Sequence, residues 1–203
     1  MYKVGLTGGI GSGKSKVAEL LHERGIAIYD SDSRAKLLMC GDDALRQALI
    51  EAFGVECYTS EGLNRAWLAE RVFGNKEALA RLNSIVHPAV MRDFAMWAEQ
   101  QSCEYVVLES AIIFDAGLES HVDAVVSVMA PRRLRLERAM QRDGASREQI
   151  EQRMNSQMGD EELIQRSKYS IVNIDINVLE EDVEQLHRRL CYDSNPNSYR
   201  YRI

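Results

Sequence analysis

Five short stretches of the chain are apolar with little alternation: around Val4 and Leu6, then Ile26–Tyr29, Tyr105–Leu108, Ala124–Met129 and Tyr169–Ile174. Short continuous apolar runs read as strands buried on both faces of a parallel sheet. Elsewhere the apolar positions recur at helical spacing. Val17, Ala18, Leu20 and Leu21 give one face of a helix over 15–24, and Leu179, Val183, Leu186 and Leu190 stripe a last helix over 179–191. Strands alternating with helices predict an α/β fold with a five-stranded, mainly parallel sheet between helical layers. Residues 33–101 break this rhythm. They carry little strand signal and read as helices at about 33–40, 43–53, 65–73, 76–86 and 88–101, punctuated by Gly54, Gly62 and Gly74. Leu68, Val72 and Phe73, then Leu79, Leu82, Ile85 and Val86, supply the spacing. A break is expected at His87-Pro88, because a residue before proline is pushed out of the helical region. The stretch reads as a helical insertion between the second and third strands.

The first strand and first helix flank Gly8-Gly9-Ile10-Gly11-Ser12-Gly13-Lys14-Ser15, which fits the phosphate-binding pattern G-x-x-x-x-G-K-[ST] at every fixed position. Strand, glycine loop and helix together aim backbone N–H groups and a helix N-terminus at one anion. Lys14 brings a positive charge to the β- and γ-phosphates, and the Ser15 hydroxyl is placed to ligate Mg²⁺. The pattern predicts nucleoside triphosphate binding by Gly8, Gly9, Ile10, Gly11, Ser12, Gly13, Lys14, Ser15 and Lys16.

In open α/β sheets the chemistry lies beyond the carboxyl ends of the strands. The second strand ends at Asp30-Ser31-Asp32, and the third at Glu109. Asp30 suits a helix cap as well as a functional acid. Glu109 after an apolar strand is a candidate to hold Mg²⁺ through water. After the fourth strand, Pro131 opens a helix crowded with Arg132, Arg133, Arg135, Arg138 and Arg142. Arg135, Arg138 and Arg142 share one face by their spacing. Ser146-Arg147-Glu148-Gln149 is a capping box that starts another helix, carrying Arg153 and Gln157. Such a face is either solvated and paired with Glu137, Glu148 and Glu151, or a clamp for phosphate oxygens, which a planar guanidinium suits. A phosphate loop in the same chain favours the clamp.

Charge narrows the partners. The 203 residues carry a net charge of −6, so no global field favours nucleic acid, and an anionic substrate needs a local basic cluster. Cys40, Cys57, Cys103 and Cys191 show neither disulfide nor metal spacing, which suits a reducing compartment. No apolar run has the length of a membrane span. These features predict a cytoplasmic protein without membrane or nucleic-acid partners. Oligomeric state is left open, with a monomer as the working expectation.

Four pieces in this order resemble the dephospho-CoA kinase family: Gly5 to Ser15, Asp30-Ser31-Asp32, Leu82-Asn83 with His87-Pro88, and Arg138-Ala139-Met140-Gln141-Arg142-Asp143. The resemblance implies a three-layer P-loop kinase related to nucleoside monophosphate kinases. Its core would be 1–32, 102–130 and 165–192, with a helical acceptor domain at 33–101, an Arg-rich lid at 131–164 and a loose tail at 193–203. It implies transfer of the ATP γ-phosphoryl group, with Mg²⁺, to the ribose 3′-hydroxyl of dephospho-CoA. By the same resemblance Asp32 orients or deprotonates that hydroxyl, and Arg138 and Arg142 close over the phosphates beside Lys14. Arg34, Lys36, Arg71, Arg81 and His87 are then available to the acceptor's diphosphate. The chain departs from the family pattern at Ala111–Asp115 after the third strand and at Asn173-Ile174, where an Asp-Asn pair is usual. Another small-molecule or nucleoside monophosphate kinase is the alternative reading; the size of the insertion argues for a large acceptor.

Overall fold

A computed structural model describes residues 1–72 and 74–196. The chain divides into two compact units: Met1–Tyr29 with the chain from Ala98 onward, and Asp30–Trp97. In the first unit, β1 (Tyr2–Thr7) leads through the glycine loop to α1 (Lys14–Glu23), and β2 (Ala27–Asp30) follows. In the second unit, α2 (Ser31–Gly41), α3 (Asp43–Phe53), a small hairpin of β3 (Tyr58–Thr59) and β4 (Gly62–Leu63), α4 (Arg65–Val72) and α5 (Lys76–Glu99) come next. The chain then supplies β5 (Tyr105–Glu109), β6 (Ala124–Met129), α6 (Arg132–Asp143), α7 (Arg147–Asn155), α8 (Asp160–Arg166), β7 (Tyr169–Val172) and α9 (Ile176–Ser194).

The sheet has the order β2-β5-β1-β6-β7, and β1 runs parallel to both β5 and β6, as β6 does to β7. Every residue of β5 and β6 is buried, as continuous apolar runs require. Val4, Leu6, Val107, Val126 and Val128 of the sheet pack with Val17, Leu20 and Leu21 of α1 and Leu179, Val183, Leu186 and Leu190 of α9. A second cluster of Leu136, Ala139, Ile150 and Met154 joins α6 to α7, with the Ile10 side chain packed on it. Among the described residues no helix is long and apolar enough to cross a membrane.

The predicted break at His87-Pro88 is absent: α5 runs through Pro88 as one helix. Proline there leaves the Ser84 carbonyl without its helical donor, at a cost of roughly 3 kcal/mol. Buried residues on both sides, Val86, Ala89, Val90, Met91 and Phe94, offset that cost. Three other boundaries also move. The first insertion helix starts at Ser31, because the Asp30 carboxylate caps it by accepting from the Asp32 and Ser33 amides. The 131–164 segment holds a third helix, α8, whose Asp160, Glu161 and Glu162 fill its first turn where the helix dipole favours acids. The last helix begins at Ile176 rather than Leu179 and keeps Asp193 and Ser194, so the expected loose tail does not start at Asp193. Asp193 accepts from Lys168 Nζ at 2.7 Å and from the Tyr169 hydroxyl at 2.8 Å. Phe73 and the end of the expected tail lie outside the described residues.

Candidate active site

The phosphate loop is built by its glycines and by what stands behind them. Gly11 and Gly13 adopt φ of 75° and 91°, a region closed to most side chains. A Cβ on Gly11 would collide with the Arg135 carbonyl, and one on Gly13 with the Asn173 side-chain amide. Ser12 N–H donates to the Gly9 carbonyl at 3.0 Å, and the Lys16 and Val17 amides donate to the Gly13 carbonyl, so the loop turns directly into α1.

At the start of α1, Lys14 and Ser15 converge on one atom. Lys14 Nζ lies 2.6 Å and Ser15 Oγ 2.8 Å from Glu109 Oε1, at the end of β5. Parallel pairing of Leu6 with Glu109 carries this acid to the level of the loop. The Lys14 and Glu109 side chains are only 16% and 11% exposed, so the pair is poorly screened. Lys16, by contrast, turns to Glu19 on the surface of α1.

The three arginines expected on one face of α6 have different partners. Arg135 is buried, with Nε on the Ile10 carbonyl at 3.1 Å and Nη1 on Asp160 at 2.6 Å. Arg138 donates to the Asn173 carbonyl, and its Nη1 is 3.9 Å from where a Cβ on Gly13 would stand. Arg142 is exposed and held by Asp143 at 2.7 Å, an acid it shares with Arg153. The hydrogen bond from Arg142 holds the Asp143 carboxyl below the usual carboxylate range.

Three loop partners escaped the sequence reading as site residues. They are Arg135, Gln157, whose Oε1 accepts from the Ile10 amide at 2.8 Å, and Asn173, whose Nδ2 donates to the Ser12 carbonyl at 2.9 Å. Arg135 stood out as one of three arginines on one helix face, Gln157 as part of the helix after it and Asn173 as a departure from the family pattern, but none of these signals pointed to the loop backbone.

Within the Asp30–Trp97 unit, Asp32 is exposed in the first turn of α2, while Asp30 is occupied as the cap. Arg34 makes a bidentate pair with Asp93, with contacts of 2.6 to 2.9 Å. Burial pushes the His87 imidazole below its ordinary value and so favours its neutral form. Arg71 and Arg81 line an open pocket of about 480 Å³ together with Ala52, Phe53, Asn75, Glu77 and Ala78. Their guanidinium groups lie over the Trp67 and Phe53 rings.

A sequence model of the dephospho-CoA kinase family matches residues 2–178. A dephospho-CoA kinase from Bacteroides fragilis is 41% identical over 172 residues, 84% of each chain. One from Porphyromonas gingivalis is 44% identical over 163 residues, covering 80% of this chain and 81% of its own. The crystal structure of a Thermus thermophilus protein superposes with a TM-score of 0.80 at 32% identity, over 95% of this chain and 97% of that one. A phosphate loop at the head of a parallel sheet, continued by relatives of this identity along most of the sequence, means that the chain belongs to the dephospho-CoA kinase family, whose members phosphorylate dephospho-CoA with ATP.

Proposed function

We propose that this dephospho-CoA kinase holds ATP on the Gly8–Lys16 loop, with Lys14 against the β- and γ-phosphates, and uses Asp32 on the acceptor side. The observation that carries the reading is the meeting of Lys14 and Ser15 on Glu109. Nucleotide phosphates compete for both donors, and Glu109 is then left beside Ser15 as an acceptor for metal-bound water. Two hard oxygen groups 2.8 Å apart suit Mg²⁺, which takes few protein ligands and keeps several waters. Ser15 and Glu109 would hold a Mg²⁺ there, and it would supply positive charge to offset the charge developing on the phosphates.

Phosphoryl transfer needs alignment and charge neutralisation more than covalent help from the protein. Asp32 accepts the proton of the ribose 3′-hydroxyl, or orients it, as the 3′-oxygen attacks the γ-phosphorus and ADP leaves. A positioned base of this kind is worth about 10²–10⁴-fold. Arg138 is supported as a phosphate ligand by its approach to Gly13. Arg142 first leaves Asp143. An exposed pair of that kind is worth only about 0–1 kcal/mol, so the exchange costs little. The 131–164 segment then acts as a lid, excluding the water that would hydrolyse ATP. For the acceptor's diphosphate, the engagement of Arg34 and the lowered pKa of His87 favour Lys36, Arg71 and Arg81.

The test is a coupled assay of ADP release with ATP, Mg²⁺ and a panel of acceptors. Turnover is expected with dephospho-CoA, little with shikimate or nucleoside monophosphates, and none above background for Lys14→Ala. Near-normal transfer by Lys14→Ala overturns the assignment of the loop.

A further inference from the structure

We propose that Arg135 and Gln157 are positioning residues that hold both backbone groups of Ile10, and thereby set the register of the phosphate loop from the lid segment. The inference rests on the loop being the ATP site.

Ile10 is gripped on three sides. Its N–H donates to Gln157 Oε1 at 2.8 Å, its carbonyl accepts from Arg135 Nε at 3.1 Å, and its side chain packs on Leu136, Ala139, Ile150 and Met154. Backbone N–H and C=O groups are strong hydrogen-bonding groups, and each needs a partner. Here two side chains from different stretches of sequence satisfy them.

Arg135 is itself fixed. Its side chain is 6% exposed, and Asp160, at the start of α8, accepts from Nη1 at 2.6 Å. The guanidinium fills the space that a Cβ on Gly9 would need, and the Arg135 carbonyl backs Gly11. The limb Gly9-Ile10-Gly11 therefore rests on one residue of α6. On the other limb, Asn173 holds the Ser12 carbonyl at 2.9 Å.

The three hydrogen bonds from Gln157, Arg135 and Asn173 all go to loop backbone, and none involves Lys14 or Ser15. That separates positioning from catalysis. The loop's N–H groups can align on phosphate only if the peptides carrying them are already oriented, and preorganised donors are the ones that stabilise charge well. The clamp also carries information in the other direction. Gln157 follows α7 and Asp160 opens α8, so any rearrangement of those helices pulls on Ile10 through two hydrogen bonds. Movement of the lid and the fit of ATP are therefore coupled.

The test uses the full chain with Gln157→Met, which keeps the length of the side chain and removes its acceptor, and with Arg135→Lys, which can serve Ile10 or Asp160 but not both. Apparent KM for ATP and for dephospho-CoA, kcat and Tm are measured for each. Loss of a hydrogen bond that leaves a donor unpaired predicts a rise of about tenfold in the ATP KM for Gln157→Met. The dephospho-CoA KM should stay within about twofold, and Tm should move by no more than ~3 °C. The Ile10 amide should also exchange faster in Gln157→Met while amides of β5 keep their protection. An unchanged ATP KM, or losses for both substrates that track a fall in Tm, overturns the clamp. Gln157 decides the matter even if the arginine variant does not fold. Failure of the underlying assignment is distinguishable: it appears as Lys14→Ala turning over normally, whereas failure of the clamp alone leaves Lys14→Ala dead and Gln157→Met unaffected.

Discussion

Glu109→Gln separates two uses of one carboxylate. In the free enzyme Glu109 Oε1 takes hydrogen bonds from Lys14 Nζ at 2.6 Å and Ser15 Oγ at 2.8 Å, in surroundings with little water. Charge-assisted bonds of this kind are worth about 1.5–3 kcal/mol, roughly twice their neutral counterparts. Glutamine has the same shape, so it keeps an acceptor oxygen and weakens the grip without opening a cavity. Lys14 is then released to phosphate more easily, and the apparent KM for ATP should not rise. The cost falls on the other use. Removing a carboxylate that orients metal-bound water typically costs about 10–100-fold in metal affinity or activity. The expectation is a fall in kcat within that range, a higher Mg²⁺ requirement and an unchanged Tm. Steady-state ADP release measured over a Mg²⁺ titration reads all but the last, and a thermal melt reads that. A variant with kcat within twofold of wild type and the same Mg²⁺ dependence refutes the role given to Glu109.

Three further outcomes follow from named contacts. Asp32→Asn should lose about 10²–10⁴-fold in kcat. Asp30→Asn should retain most activity, because asparagine caps a helix about as well as aspartate; activity in the first variant and none in the second would reverse the two roles. Pro88→Ala restores a donor to the Ser84 carbonyl inside α5 and should raise unfolding free energy by about 1–3 kcal/mol in urea melts, with an unchanged or lower value against it. Burial lowers the pKa of both His87 and His187 below the unfolded value, so the unfolded chain binds more protons as pH falls. Their contribution is complete above roughly pH 6.5 and is lost as pH drops through the folded values. Melts between pH 7.5 and 5 should therefore flatten for His187→Gln, and an identical slope in wild type and variant would count against it.

Legibility from sequence followed the range of the interaction. The strand, loop and helix from Tyr2 to Glu23 are local, and each of their residues states its role: apolar for burial, glycine for close approach, Lys14 and Ser15 for charge and oxygen. The capping box at Ser146 and Gln149 was equally readable, because both partners lie within one turn. Pro88 misled because the rule for proline is local, while the burial of Val86, Ala89 and Val90 that outweighs it depends on tertiary packing. Arg135 shows the same limit at the site. In sequence it is one of several similar arginines on a helix, and only the fold sets it against Ile10, 125 positions away. Asn173 read as a departure from the family pattern at a strand end. In the structure its amide supports the Ser12 carbonyl, a job that requires knowing that the end of β7 comes up beneath the loop.

The central claim is that the γ-phosphoryl group of ATP passes from the Gly8–Lys16 loop to the ribose of dephospho-CoA. Its most direct test is to supply ATP labelled with ¹⁸O in the γ-phosphate and to locate the label in the product by ³¹P NMR and mass spectrometry. One labelled phosphate on the ribose 3′-oxygen is expected for each ADP formed. Release of ADP with the label in inorganic phosphate, or on another position of the acceptor, would contradict it.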